Sequence, residues 1–269
     1  MWWVNCFGSQ CPKHGDYLRA LIGALGLDLS PSRLLDDPLT HLVPALGRPR
    51  EARRGPDEDL PSDAWLAGAR ERLRSERRVL RWLRRERGLS RETVERYGLG
   101  YTERRGTGAL VLPASGRDGG FVTVKFRFWP ELHEGRKTDA LARPAALYPS
   151  PPRRRKRTFR VVLCEGELDA LRLRQAGIAA VTATCGTQLP DPLADRLARL
   201  RRPVAVLYDV GNESRAEASA AKLRAAGADA WACALPLDER EADVTDWFNA
   251  GRTARELRRL IRAARREAI

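Results

Sequence analysis

Three short apolar runs constrain the fold of this chain more than any other feature. The runs are Val161–Cys164, Ile178–Thr184 and Val204–Tyr208. A segment of helical pattern that closes at Gly177 joins the first run to the second. Strands that alternate with helices form βαβ units. This part of the chain therefore predicts an α/β fold with a mostly parallel, Rossmann-like sheet.

Acidic residues follow two of these runs directly. Glu165 comes after the first run and Asp209 after the third. Open α/β sheets bind ligands outside the carboxyl ends of their strands, and Mg²⁺ takes oxygen ligands such as carboxylates. We therefore interpret Glu165 and Asp209 as catalytic and metal-binding candidates for Mg²⁺ or Mn²⁺. The alternative is that each acid only caps a helix.

The order of these motifs resembles the Toprim domain of DnaG-type and phage or plasmid primase-like proteins. The motifs are Glu165-Gly166-Glu167-x-Asp169, then Gly186-Thr187, then Asp209, then D-V-T-D-W-F-N-A-G near the end, and the match runs from Arg160 to Gly251. The resemblance implies a magnesium-dependent nucleotidyltransferase. It also implies that Asp243 is a third metal ligand and that Glu165 is a ligand or general base.

The second acidic motif departs from the family pattern of Asp-x-Asp. Gly211 stands where the second aspartate is expected, and it has no side chain to offer a metal. Asn212 and Glu213 are the nearest residues that could substitute. The resemblance therefore leaves two-metal chemistry open.

The first 37 residues contain three soft metal-ligand candidates. Cys6, Cys11 and His14 have the spacing Cys-x4-Cys-x2-His, whereas a tetrahedral zinc site needs four ligands. The segment resembles the second half of a primase zinc ribbon, whose first half would precede Met1. We interpret it as a partial zinc ribbon with two free thiols and a surface histidine, and a zinc site is the alternative.

We divide the chain into four parts on composition and pattern. Residues 1–37 are the ribbon-like segment with its helix, 38–62 a linker, 63–159 a mixed α+β primase-core subdomain, and 160–269 the Toprim domain with a terminal helix. One long helix is predicted from Asp63 to Arg87, and Ser90 is predicted to cap the next. Nine arginines between Arg70 and Arg87 form either a solvated face or a surface that tracks phosphates.

A strictly alternating strand follows at residues 121–129. Lys125 and Arg127 share its basic and aromatic face, which we interpret as a ridge for a nucleic-acid backbone. Arg136 and Lys137 lie where the family carries a further lysine, so they are the next candidates for binding nucleic acid or nucleotide. A solvated face is the alternative for the strand.

Two further features are less specific. We interpret the basic run at residues 153–157 as a flexible loop that attracts phosphates, and a solvated run without a ligand is the alternative. Asp246 is interpreted as the cap of a helix holding Trp247 and Phe248.

The charge balance favours a polyanionic partner. The net charge is +14 and the pI about 10.4, although an arginine-rich composition alone is the alternative explanation. No apolar run approaches the length of a membrane span, no signal peptide begins the chain, and five scattered cysteines do not form a secreted disulfide framework. A cytoplasmic protein without a membrane partner is predicted.

These observations predict a DNA primase-like protein that makes RNA primers on single-stranded DNA during replication. Its expected partners are the template, nucleotides and a replicative helicase. A catalytically degenerate Toprim DNA-binding protein of a phage or mobile element is the alternative, because the ribbon is incomplete and Gly211 replaces an aspartate. A Toprim nuclease is a third reading, which the amino-terminal half argues against.

Overall fold

The computed structural model describes residues 61–115, 121–129, 133, 135–141, 145–151, 160–185 and 188–268. The chain divides into two compact units, 1–56 and 57–269, and every described residue belongs to the second. The ribbon-like segment with Cys6, Cys11 and His14 therefore lies outside the described residues. Within the described ranges, no helix combines the length and the apolar character needed to cross a membrane.

The first half of the described chain folds into three helices and an antiparallel sheet. The helices are α1 (Asp63–Ser75), α2 (Arg77–Arg85) and α3 (Arg91–Arg96). The strands are β1 (Gly100–Arg104), β2 (Thr107–Ser115), β3 (Phe121–Phe128) and β4 (Thr138–Ala140), paired in that order. Alternate side chains of β2 enter two different cores, so both faces of this sheet are covered rather than solvated.

The prediction of one long helix from Asp63 to Arg87 is wrong at Glu76. The backbone of Glu76 is not helical, with φ −84° and ψ 80°. The Ser75 hydroxyl lies within hydrogen-bond distance of the carbonyl oxygens of Glu71 and Arg72, so it bonds to the last turn of α1. Leu66 and Ala69 of α1 pack on one face of the antiparallel sheet. Leu73 near the end of α1 packs on the other face, together with the buried residues of α2.

A five-stranded sheet occupies the second half. Its strands are β5 (Leu147–Tyr148), β6 (Val161–Cys164), β7 (Ala180–Ala183), β8 (Val204–Leu207) and β9 (Ala230–Ala232), in the spatial order β5-β7-β6-β8-β9. The last four are mutually parallel, and β5 is antiparallel to β7. The predicted α/β class and the predicted parallel βαβ units are confirmed.

Five helices accompany this sheet. They are α4 (Glu167–Gln175), α5 (Asp191–Ala198), α6 (Glu213–Ala225), α7 (Val244–Asn249) and α8 (Ala254–Glu267). Apolar side chains from alternate positions of the strands fill one core on each face, as expected for a parallel sheet buried on both sides. The carboxyl ends of β6 and β8 consequently open at one edge between these layers.

One amide side chain links the two halves of the fold. Gln175 at the end of α4 donates to the carbonyl oxygen of Gly88 at 2.8 Å. Its own oxygen accepts from the Ser90 backbone N–H at 2.7 Å and from the Thr93 hydroxyl at 2.8 Å. Ser90 also accepts from the Thr93 N–H, so its prediction as an N-cap is confirmed. These bonds fix the start of α3 against the parallel sheet.

Candidate active site at the ends of the parallel strands

Glu165 lies at the carboxyl end of β6, half-buried. The Asn212 side-chain amide donates to its Oε2 at 3.0 Å, and the Thr182 hydroxyl of β7 donates to its backbone carbonyl at 2.7 Å. Burial raises the pKa of Glu165 in spite of the bond from Asn212. The side chain is therefore held in one position, with less solvation than an ordinary surface carboxylate has.

Asp209 occupies the equivalent position after β8. Burial, together with the negative charges of Asp169 and Glu165, raises its pKa to about 8. Two acids that follow neighbouring parallel strands thus come together as the sequence predicts.

A third carboxylate, Asp169, lies beneath them on the first turn of α4. It is 6% exposed, and the Thr245 hydroxyl donates to its Oδ1 at 3.0 Å. Burial and the neighbouring Asp243 raise its pKa to about 7. A Cβ placed on Gly166 would meet Asp169 Oδ2, so this position leaves no room for a side chain. The small residue in the Glu-Gly-Glu motif is thus required by the packing of Asp169.

Asp243 is the fourth acid, and most of its acceptor capacity is already used. Its Oδ1 accepts from the backbone N–H groups of Thr245 at 2.6 Å and of Asp246 at 3.0 Å, while its Oδ2 accepts from Arg87 at 3.2 Å. The interpretation of Asp246 as the helix cap is wrong, because Asp243 is the N-cap of α7. Asp246 is the third residue of the capping box and accepts from the Asp243 N–H.

Gly211 lies in the loop after Asp209 with φ +90°. L-residues with a side chain rarely adopt this backbone conformation, so an aspartate at this position would be strained. Of the two suggested substitutes, Asn212 donates to Glu165, and Glu213 accepts from the Gly211 N–H at 2.9 Å. Both side chains therefore have structural hydrogen bonds in this loop.

Two basic residues of β3 face this acidic edge. Lys125 Nζ lies 3.7 Å from Glu167 Oε1, and both side chains are 12% exposed. Burial lowers the pKa of Arg127 and the charge of Arg87 lowers it further, whereas the nearby Asp169 opposes both. The predicted ridge of Lys125 and Arg127 is thus turned inward, toward the carboxylates.

The remaining candidates are apart from this cluster or lie outside the described residues. Arg136 and Lys137 are exposed on the connection between β3 and β4, where the backbone oxygen of Lys137 accepts from Phe128 N–H at 3.1 Å. The candidates outside the described ranges are Gly186, Thr187 and residues 153–157.

The arrangement of the acidic side chains determines whether this edge can hold the predicted Mg²⁺. Among the described residues, no group of three or more His, Cys, Asp or Glu side chains is arranged to hold a metal ion. The acids nevertheless raise one another's pKa, so a cation bound at this edge would displace protons from them and neutralise the negative charge that remains. Mg²⁺ keeps several waters and often takes only one or two carboxylates. Glu165 and Asp209 fit such a water-rich site.

Several contributors to this edge are not among the sequence candidates. They are Arg87, Asp169 and Thr245. Asp169 lies in the Glu-Gly-Glu-x-Asp motif, which gave a signal for it. Arg87 and Asp243 are 156 positions apart in the sequence, so no local pattern predicts their ion pair.

The fold resembles the catalytic domains of DNA primases. The zinc-binding and RNA polymerase domains of Aquifex aeolicus primase superimpose with a TM-score of 0.60 at 19% identity, over 75% of this chain and 59% of that chain. The RNA polymerase domain of Mycobacterium tuberculosis primase DnaG gives 0.53 at 17%, over 74% and 80%. The primase fragment of the bacteriophage T7 primase-helicase protein gives 0.50 at 17%, over 65% and 72%.

At these identities the likeness shows the fold alone. The chain spans less than two thirds of the Aquifex aeolicus protein fragment, at 59%. No family model matches the chain, and no curated protein matches its sequence. The sequence-based resemblance to DnaG-type primases is confirmed at the level of the fold.

Proposed function

We propose that this chain is a primase-type nucleotidyltransferase that makes short RNA primers on single-stranded DNA. The observation that carries the proposal is the carboxylate cluster, which we define as Glu165, Asp169, Asp209 and Asp243. It lies at the ends of parallel strands in a fold that resembles primase catalytic domains. Within the proposal, residues 160–269 form the Toprim domain.

Glu165 and Asp209 would hold Mg²⁺ or Mn²⁺. When bound, the ion lowers the pKa of an attacking hydroxyl and stabilises charge on the leaving phosphate oxygens. The reaction joins a 3′-oxygen to an α-phosphorus, breaks the bond to the β-phosphate and releases pyrophosphate. Glu165 is suited to accept the hydroxyl proton, since burial brings its pKa closer to neutral pH.

The other members of the edge have positioning roles in this proposal. Asp243 caps α7 and anchors Arg87, so we assign it to shaping the site rather than to holding the ion directly. Lys125 and Arg127 face the acids from β3 and would bind the phosphates of nucleotide or template. Arg136 and Lys137 are exposed candidates for further template contact. The replicative helicase stays a predicted partner.

The proposal is tested by primer synthesis with radiolabelled ribonucleotides on single-stranded DNA in Mg²⁺ or Mn²⁺. Wild-type protein should make short RNA products, and Glu165→Gln should make none. Glu103→Gln, an exposed acid on β1, is the matched control and should behave as wild type. Synthesis that survives in Glu165→Gln would overturn the assigned role of Glu165.

One observation favours a second candidate, a DNA-binding protein without catalysis. Gly211 replaces the expected second aspartate, and its φ of +90° disfavours any side chain there. This candidate predicts that wild-type protein binds single-stranded DNA and yields no primer at any divalent-ion concentration. Primer synthesis by the wild type excludes it.

A further inference from the structure

Helix α2 carries five arginines in nine residues and no acid. We call them the α2 arginine face, and all five are exposed: Arg77, Arg78, Arg81, Arg84 and Arg85. The arginines of an amphipathic surface helix usually pair with acids three or four positions away. The sequence of α2 has no such acid, so its positive charge is uncompensated along the helix.

The neighbouring helix α1 shows the ordinary arrangement. Arg70 and Arg72 donate to the backbone oxygens of Gly98 and Tyr101, and Arg74 pairs with Glu71 at 2.8 Å. In contrast, the side chains of four members of the α2 arginine face make no hydrogen bond or ion pair with any residue in the described ranges, namely Arg77, Arg81, Arg84 and Arg85. Their guanidinium groups are available to an external ligand.

Two adjoining grooves run along this face. One of about 610 Å³ is lined by Arg81, Arg84, Arg85 and Arg91, with Leu80 and Leu89. The second, of about 230 Å³, is lined by Arg78, Arg81 and Arg85, by one acid, Glu86, and by Trp82 and Trp129. They share Arg81 and Arg85, so they form one continuous basic track with an aromatic end.

The aromatic end connects this track to the carboxylate cluster. The ring centroids of Trp129 and Trp82 lie 5.4 Å apart, and the guanidinium of Arg78 lies 6.0 Å from the Trp129 ring centroid. Arg87 lies over Trp82 at 5.5 Å and also binds Asp243. A chain of contacts thus leads from the acids to the exposed arginines.

We infer that the α2 arginine face is a docking track for single-stranded nucleic acid that extends outward from the carboxylate cluster. Guanidinium groups bind phosphates in a bidentate manner, and the partly exposed Trp129 offers an aromatic surface for a base. A polyanion with bases fits both features, whereas an acidic peptide uses only the charge. The direction of the strand, out from the catalytic acids, rests on the proposed function.

The test compares two triple variants that remove equal charge. The first is Arg81→Gln, Arg84→Gln and Arg85→Gln on α2. The second is Arg255→Gln, Arg259→Gln and Arg266→Gln on the exposed face of α8. Glutamine preserves helix propensity, and circular dichroism checks that both variants fold. Binding of fluorescent oligothymidylate is measured by anisotropy over a range of salt concentrations.

We expect the α2 triple to weaken binding about tenfold or more. The slope of log K against log salt should become shallower by about 2, since each phosphate contact on a single strand contributes about 0.7. The α8 triple should keep the wild-type slope. An unchanged slope in the α2 triple would overturn the inference, and so would equal losses in both triples. Polyglutamate that binds the wild type more tightly than the oligonucleotide would overturn it as well.

Failure of the proposed function has a different signature. Wild-type protein that makes no primer, while the α2 triple still loses oligonucleotide binding, would reject the primase and retain the docking track. Primer synthesis by the wild type, together with unchanged oligonucleotide binding by the α2 triple, would retain the primase and reject the docking track.

Discussion

The carboxylate cluster and the α2 arginine face carry opposite charges and are built in opposite ways. Each acid of the cluster is buried or partly buried, and a named donor or a neighbouring acid sets its position or its pKa. The α2 arginines are exposed, and four of the five make no hydrogen bond or ion pair within the described residues. The cluster is a cooperative unit, whereas the arginine face is a row of independent charges.

This difference determines how each region responds to substitution. Groups that share partners in one network lose more than their own contribution when one is removed, and their effects do not add. Exposed charges that act through phosphate contacts contribute separately and in proportion to their number. Substitutions in the cluster should therefore have large and non-additive effects, whereas substitutions in the arginine face should have small and additive ones.

The largest effect is expected for Asp209→Asn in the cluster. It should reduce primer synthesis about a hundredfold or more, because even outer-shell partners of a metal site contribute 10–100-fold. Asp191→Asn, at an exposed acid on α5, is the control and should retain full activity. Steady-state rates at saturating Mn²⁺ check this, and near-normal synthesis by Asp209→Asn would place the ion elsewhere.

The next effect concerns packing beneath the acids. Gly166→Ala should lower the free energy of unfolding by about 1–3 kcal/mol, because the added methyl meets Asp169 and forces it to move. The backbone at Gly166, with φ −100° and ψ 150°, is ordinary for alanine, so strain there does not explain a loss.

Gly68→Ala in α1 is the matched control for this substitution. Its new methyl comes no closer than 3.6 Å to Arg72, so it should stabilise the protein by about 0.5–1 kcal/mol. Urea unfolding measures both variants. Equal stability changes in the two would show that Asp169 is not held tightly.

A smaller effect appears in the pH dependence of stability without divalent ions. The pKa of Asp209 is about 8 in the fold and about 3.9 in an unfolded chain, so the folded state binds more protons between these values. Stability associated with this group is therefore lost as pH rises toward 8.

Asp209→Asn removes that loss. With a discount for the partial exposure of Asp209, it should unfold about 2–4 °C above wild type near pH 9, and the difference should shrink near pH 5. Thermal scans in chelator at both pH values measure it. A variant that melts below wild type at high pH would contradict the raised pKa.

The smallest effect belongs to the arginine face. Arg84→Gln should change the free energy of unfolding by less than about 0.5 kcal/mol, as usual for a surface substitution. It should reduce the salt slope of oligonucleotide binding by about 0.7. A destabilisation of several kcal/mol would mean that Arg84 is part of a packed network after all.

The sequence predicts those features of the fold that local patterns encode. Apolar runs of four to seven residues placed β6, β7 and β8, and the acids that follow two of them converge because parallel strands end at one edge. Ser90 was recognisable as a cap because capping is a contact within three residues.

Other features depend on contacts that no local pattern contains. The break at Glu76 lies in a stretch without glycine or proline, so no residue there marks the end of a helix. Lys125 and Arg127 alternate like a solvated face, yet the second half of the fold covers them. The family resemblance implies that Asp243 is a metal ligand, but in the fold its carboxylate accepts hydrogen bonds from Arg87 and from two backbone N–H groups.

A metal site at the carboxylate cluster is tested by a calorimetric titration of Mn²⁺ into the metal-free protein, with Asp209→Asn in parallel. We expect one bound ion in the wild type, with release of protons near pH 7 because the pKa values of Asp169 and Asp209 are about 7 and 8. We expect no binding by Asp209→Asn. Absence of binding by the wild type, or equal binding by both proteins, would contradict a metal site at the carboxylate cluster.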